Sequence, residues 1–228
     1  MTTRITTDNI ADGTIENIDI KNGDIDITSK ITGTLPVSKG GTGLTSLGSA
    51  GQAIKVNSGG SGLEFGSAGG ILQVVSATKT DTFTLSSSDG TFTDVTGLSV
   101  SITPTSTSSK IFIMANLNIS GSNRYAAFKV LRDSTSIGIG DAASSRTRVA
   151  VSSHRNESAT NDHHIMHNSS TNFLDSPNTT SATTYKIQIA NTYVAGGYTV
   201  YVNRGNTDAD ANYAHRGAST ITVMEVSA

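Results

Sequence analysis

The chain has 228 residues, no cysteine, and a formal net charge of −2 with only 15% of its residues charged. Missing thiols exclude disulfides, thiolate metal sites and a cysteine nucleophile, and the weak, unclustered charge lacks the basic footprint of a nucleic-acid binder. No apolar run approaches the roughly 20 residues that cross a bilayer, and residues 1–10 lack the apolar centre of a signal peptide, so neither membrane insertion nor nucleic-acid binding is expected.

The first elements carry isoleucine at Ile5, Ile10, Ile15, Ile20 and Ile25, a five-residue beat filled with Asp, Asn, Thr and Gly. That beat fits neither the period of two of a strand nor the three-and-four spacing of a helix or heptad. Its fillers are poor helix formers, and Asp12-Gly13 and Asn22-Gly23 are turn signals. Three chains wound about one axis would let each repeat turn one isoleucine inward, so that a core exists only between chains. The other reading is a disordered, anchored arm, given the low hydrophobicity. None of the six Phe or six Tyr precedes Phe65, so this part of the chain cannot build a large core alone.

Residues 31–66 hold an unusual share of the glycines. Gly40, Gly41, Gly43, Gly48 and Gly51 suggest tight bends and close backbone approach. Ala53, Ile54 and Val56, then turn residues 57–62, then a return over 63–65, read as a small hairpin, which is marginal in water without a partner. The run Leu35-Pro36-Val37-Ser38-Lys39-Gly40-Gly41-Thr42-Gly43-Leu44, with Gly51-Gln52-Ala53-Ile54-Lys55-Val56 and Leu63-Glu64-Phe65-Gly66 behind it, resembles the glycine-rich collar between shaft and head of tailed-phage tail fibres. The resemblance covers about the first third of the chain. It implies an N-terminal end attached to the virion, through a phage tail or adaptor protein, and a head that meets the host.

From Ile71 onward short runs of Val, Ile, Thr, Phe and Tyr alternate with Ser, Asn, Gly and Asp, the mark of an all-β sandwich. Strands are predicted near residues 72–78, 82–85, 98–103, 110–120, 125–132, 136–140, 163–168, 183–190, 198–203 and 220–226. Their number resembles the jelly-roll heads of phage fibres and, in outline, trimeric tumour-necrosis-factor-like domains. The predicted organisation is therefore an elongated, all-β homotrimer. Residues 1–30 form the attachment and shaft segment, residues 31–69 the collar, and residues 70–228 the antiparallel jelly-roll head.

Two long polar segments interrupt the strands, at residues 141–162 and 205–217. Structureless loops beyond about 12–15 residues are usually functional or disordered. They are read as the tips of the head, with Arg146, Arg148, His154, Arg155, Asp208, Asp210, Tyr213, His215 and Arg216 as receptor-binding candidates for a host cell-surface glycan or outer-membrane receptor. The plain alternative is solvated connections. His163, His164 and His167 form the one cluster that raises the question of metal, with His163 and His167 sharing a face if the segment is a strand. One chain offers too few converging donors, so polar or interface histidines are the default. The run Asp208-Ala209-Asp210-Ala211-Asn212 begins like a calcium loop, then carries Tyr213 where glycine belongs and Ser219 where glutamate belongs.

There is no Gly-x-Ser-x-Gly elbow, and nothing ties one serine to a histidine and an aspartate. No enzyme activity and no cofactor are expected. The functional expectation is a virion tail-fibre protein that mediates adsorption through a trimeric head. Its alternative is a purely structural virion protein, such as a capsid decoration or a fibre connector, and a polysaccharide depolymerase is the remote third.

Overall fold

The computed structural model describes residues 34–67, 69–87, 89–122, 125–153, 162–193 and 197–227. The shaft isoleucines Ile5, Ile10, Ile15, Ile20 and Ile25 lie outside them. The chain divides into two units, residues 1–68 and 69–228.

In the first unit a short 3-10 turn, Val37–Lys39, is stopped by Gly40 at a left-handed φ of 86°. A hairpin follows, β1 (Gln52–Val56) against β2 (Leu63–Ser67), with Ile54 opposite Phe65. Its turn is closed by Asn57, whose N–H donates to the Gly62 carbonyl (2.9 Å) and whose Oδ1 accepts the Ser61 N–H (3.0 Å). Gly48 lies under the Phe65 ring, where a Cβ would sit 2.5 Å from a ring carbon, so no larger residue fits there. Within residues 34–66 no residue is buried.

The second unit is a sandwich of β3 (Ile71–Lys79), β4 (Phe83–Ser87), β5 (Thr93–Ile102), β6 (Lys110–Gly121), β7 (Ala126–Arg132), β8 (Thr135–Ile137), β9 (Val151–Ser153), β10 (His167–Asp175), β11 (Thr183–Asn191), β12 (Tyr198–Val202) and β13 (Ser219–Val226). In the first sheet β10 runs along one edge of β6, while β13 and then β12 share the other edge. β3 extends the sheet beyond β13, and β4 beyond β12. In the second sheet the order is β5-β11-β7, and the far edge of β7 is shared by β8 and β9. Setting β4 and β12 aside and counting β8 with β9 as one interrupted strand leaves eight strands. In chain order they stand first-eighth-third-sixth in one sheet and second-seventh-fourth-fifth in the other. That is the jelly-roll order.

The core follows from the period of two. Ile111, Ile113, Ala115, Leu117 and Ile119 of β6 all face inward and are at most 1% exposed. Tyr185, Ile187 and Ile189 of β11, with Phe128 and Val130 of β7, belong to the same core cluster. Fully burying each such side chain contributes about 1.5–3 kcal/mol, less the entropy of ordering it.

The strand expectations at 72–78, 82–85, 110–120, 125–132, 183–190, 198–203 and 220–226 match observed strands within a few residues. Three others need correction. The strand expected at 98–103 starts at Thr93, because Gly97 at φ 87° makes a bulge opposite Lys186 to Gln188. That bulge lets Val95 and Leu98, three residues apart, both face the core. The strand expected at 136–140 stops at Ile137, where Gly138 turns to φ 58° against the Phe173 ring. The strand expected at 163–168 is a 3-10 turn, Asp162–His164, followed by β10 from His167 onward.

Three polar groups with little exposure knit the sandwich: Asn203 joins strands of the first sheet, while Asp175 and Glu225 reach groups of the second sheet and its loops. Asn203 is fully buried with φ 64°. Its N–H donates to the Asn118 carbonyl (2.9 Å) and its carbonyl accepts the Gly217 N–H (3.1 Å). Its Nδ2 donates to the carbonyls of Lys79 (2.8 Å) and Asp81 (2.9 Å), and its Oδ1 accepts the Ser219 hydroxyl (2.6 Å). Asp175 accepts Arg132 Nη1 on both oxygens (2.8 and 2.9 Å) and the Tyr185 hydroxyl (2.7 Å), joining β10 to the opposite sheet. Burial pushes the Tyr185 hydroxyl well above the usual phenol range, and its bond to Asp175 adds to the shift.

Glu225 is fully buried; its Oε1 accepts the N–H and hydroxyl of Thr105 (both 2.7 Å) and its Oε2 accepts Gln73 Nε2 (2.6 Å). Burial alone would raise its pKa, but the hydrogen bonds from Gln73, Thr105 and Ser109 outweigh burial and hold it below the ordinary value.

Two outcomes are expected. Replacing Asn203→Ala strands the Lys79, Asp81 and Ser219 groups and puts alanine at a positive φ, costing about 2–4 kcal/mol in a urea titration. Because the folded Glu225 pKa is depressed, its contribution is complete above the unfolded value near 4.3 and fades as pH falls through the folded one. Melting temperature should therefore drop on acidification below about pH 4.3, and Glu225→Gln should flatten that limb while lowering stability at neutral pH.

Candidate functional site

Both polar segments have the same construction. Residues 138–150 leave and rejoin the sheet between β8 and β9, which lie end to end along β7. Residues 203–218 do so between β12 and β13, end to end along β6. Each is an excursion from the middle of a strand pairing, rooted on both sides by a ladder. The first is shorter than expected, since β9 occupies residues 151–153 of the segment read as a structureless 141–162. Its three residues carry one apolar side chain, too few for a periodic signal.

The second excursion is the more organised. Asp208 accepts Arg216 Nη2 at 2.7 and 2.8 Å and meets Arg204 Nη1 at 3.4 Å. The Arg204 guanidinium lies 4.1 Å over the Tyr201 ring, and the Arg204 carbonyl accepts the Ser120 hydroxyl (2.8 Å). The 3-10 turn Asp162–His164 packs directly on this segment. The Thr207 N–H donates to the His163 carbonyl (2.8 Å), Asn206 Nδ2 lies 3.2 Å from His163 Nδ1, and the His164 ring meets the Tyr213 ring edge-on at 4.8 Å. Gly205 makes the approach possible, because a Cβ there would lie 2.7–2.8 Å from the His163 and His164 carbonyl groups. These contacts set the turn that replaces the expected strand.

Of the sequence candidates, the structure thus gathers Asp208, Tyr213 and Arg216 with His163, His164 and Arg204. Asp210 and His215 are exposed on the same excursion. Arg146 and Arg148 are exposed on the other, in the opposite sheet, with Arg148 Nε donating to the Gly140 carbonyl (2.6 Å). His154 and Arg155 lie outside the described residues. The histidines do not converge: His163 turns to Asn206, His164 to Tyr213, and His167 opens β10. Among the described residues no group of three or more His, Asp or Glu is gathered as a metal site requires. In the calcium-like run the Asp208 carboxylate is engaged by two guanidinium groups.

A second cluster carried no signal in the sequence, because its members are far apart in the chain. Tyr125 precedes β7, Tyr193 follows β11 and Tyr198 opens β12. The rings of Tyr125 and Tyr193 stack at 4.9 Å with an interplanar angle of 18°, and Tyr193 meets Tyr198 at 5.9 Å. Antiparallel pairing of β7 with β11 sets Tyr125 beside Tyr193, and the packing of the other sheet adds Tyr198, which a linear reading does not reveal.

No protein-family model matches the chain, and no curated protein matches it. Among solved structures, the chain is similar to the infectious bursal disease virus Gt strain, with a TM-score of 0.38 and 14% identity over 77% of this chain and 42% of that one. The Gx strain gives 0.37 and 14% over 77% and 41%. The VP2 subviral particle of the same virus gives 0.36 and 14% over 77% and 43%. The chain spans less than half the length of these proteins. The fold assignment rests on the strand order itself.

Replacing Gly205→Ala should force the 203–218 excursion away from the Asp162–His164 turn. The expected result is a loss of about 1–3 kcal/mol in thermal denaturation, together with faster amide exchange at Thr207 and unchanged exchange in β11.

Proposed function

We propose that this chain is a structural component of a virus particle, a fibre-type protein of the tailed-phage kind whose copies assemble side by side and whose jelly-roll head makes the outward contact. The observation that carries the proposal is the coreless neck. Residues 34–66 display Leu35, Val37, Leu47, Ile54 and Val56 as exposed side chains and bury none. A two-stranded hairpin of this kind is marginal alone, and neighbouring copies supply the missing partner. The resemblance of residues 35–44 to a fibre collar points the same way.

The head offers a matching surface. On the outer face of the first sheet, register places Val74, Met224, Phe112 and Leu174 in one row across β3, β13, β6 and β10. Val74, Met114 and Leu174 are 55%, 45% and 60% exposed. The polar neighbours pair with one another, Ser76 with Thr222 (2.8 Å) and Asn168 with Asn116 (2.6 Å), so covering them strands little hydrogen-bonding capacity. Among the described residues, the outward positions of these four strands carry one charge, Lys110, whose Nζ donates to the Ser176 hydroxyl (2.8 Å). A second copy brings only its own Lys110 as a like charge, and an exposed apolar row of this kind fits an interface.

Three chains is the expected number. The N-terminal segment would hold the tail or an adaptor protein, and the polar excursions and strand-end loops would meet the host. Several heads on one particle convert weak contacts into durable attachment.

Light scattering on the full chain should give about three times 23.5 kDa. The double variant Val74→Lys, Leu174→Lys should lower that mass while keeping the β circular dichroism of wild type. A wild-type mass of one chain overturns the assembly. Protein that binds host cells supports the adsorption role. Protein that binds virions and not cells leaves the structural role alone, and release of soluble sugar from host polysaccharide would instead mark a depolymerase.

A further inference from the structure

From the stacked tyrosines at the strand ends, we infer that Tyr125 and Tyr193 form a binding platform for a pyranose ring of a polysaccharide. This deepens the host-contact reading above and rests on it for its biological setting. Of the excursion residues that the sequence singled out, Asp208 is engaged by Arg204 and Arg216, and Tyr213 packs on His164. Tyr125 and Tyr193 are 39% and 40% exposed although both are large and largely apolar side chains. Each ring covers one face of the other, Tyr198 lies against Tyr193 on a further side, and both rings of the stack keep part of their surface in solvent.

The platform is built before any ligand arrives. The Tyr125 carbonyl accepts both the N–H (2.9 Å) and the hydroxyl (3.0 Å) of Thr192. Asn191, only 2% exposed, accepts the Tyr193 N–H on Oδ1 (3.2 Å) and donates Nδ2 to the Tyr193 carbonyl (3.1 Å). Tyr198 supports Tyr193 from the start of β12. Four bonds from two adjacent residues thus fix the backbones that carry both rings. A tyrosine ring has only two side-chain torsions to order, so little entropy remains to be lost on binding.

The chemistry selects the class of ligand. A pyranose has an apolar face of C–H bonds and a rim of hydroxyls. A flat, wet aromatic surface with phenol groups at its edge offers dispersion contact to the first and hydrogen bonds to the second. An interface between copies would draw on the apolar row of the first sheet, whose Val74, Met224, Phe112 and Leu174 carry no hydroxyl.

The chain has six tyrosines and no tryptophan, so its intrinsic fluorescence reports on tyrosine alone. The full chain is titrated with methyl α-glucopyranoside, methyl α-galactopyranoside and methyl α-mannopyranoside. At least one should give a saturable change with Kd in the millimolar range, as a single exposed platform affords. Tyr193→Ala should weaken that binding at least tenfold, while Tyr125→Phe, which keeps the stack, should retain it. Melting curves and circular dichroism matched to wild type exclude misfolding of the variants. Saturation by none of the three sugars, or binding undiminished in Tyr193→Ala, overturns the platform. Its failure is distinct from failure of the assembly: a trimer that binds no sugar loses the platform alone, and a monomer that binds sugar through Tyr193 loses the assembly alone.

Discussion

One buried amide holds the first sheet together. β12 and β13 can share an edge of β6 only if the chain leaves that edge after Val202 and returns at Ser219 without opening the core. Asn203 stands at the exit. It takes a left-handed backbone angle that asparagine tolerates better than most side chains, and it bonds to Asn118, Gly217, Lys79, Asp81 and Ser219. Those partners belong to β6, the excursion, the β3–β4 corner and β13. A residue with fewer hydrogen-bonding groups would leave buried carbonyls unpaired, at a cost comparable to a large share of a domain's net stability.

The same economy governs the other end of the core. Asp175 and Glu225 both pair with Ile111 in register, one on each side of β6, and both point inward. Each carboxylate is buried or nearly so, and each is matched by donors from elsewhere: Arg132 and Tyr185 for the first, Gln73 and Thr105 for the second. Removing either carboxylate would leave buried donors unpaired. These two carboxylates are thus committed to the architecture.

Surface chemistry is divided by position on the sandwich. The outer face of the first sheet carries an apolar row among Ser, Thr and Asn, the second excursion is ionic, and one strand end is aromatic. A rigid β scaffold makes such a division possible, because loops rooted on both sides by ladders can vary without disturbing the core. The β8–β9 and β12–β13 interruptions show how: each excursion costs a few ladder bonds, and flanking pairs on the same neighbour restore the register.

Alternation of side chains by itself determined the all-β class and most strands of the second unit, since 110–120 and 220–226 place every second residue on the core face and nothing else satisfies that period. Glycine spacing and a scarcity of aromatics marked residues 34–66 as a segment unable to bury a core of its own, for the same local reasons. Tertiary structure decided what depends on contacts between distant segments. β10 was obscured because His167 to Asp175 is rich in Ser and Asn, and only the long ladder along β6 makes it a strand. The Asp162–His164 turn is set by Thr207 and Gly205, some forty residues away in the chain. The tyrosine stack and the Asn203 joint were invisible for that reason too: a sequence records which groups a chain carries, while pairing of strand ends decides which of them meet.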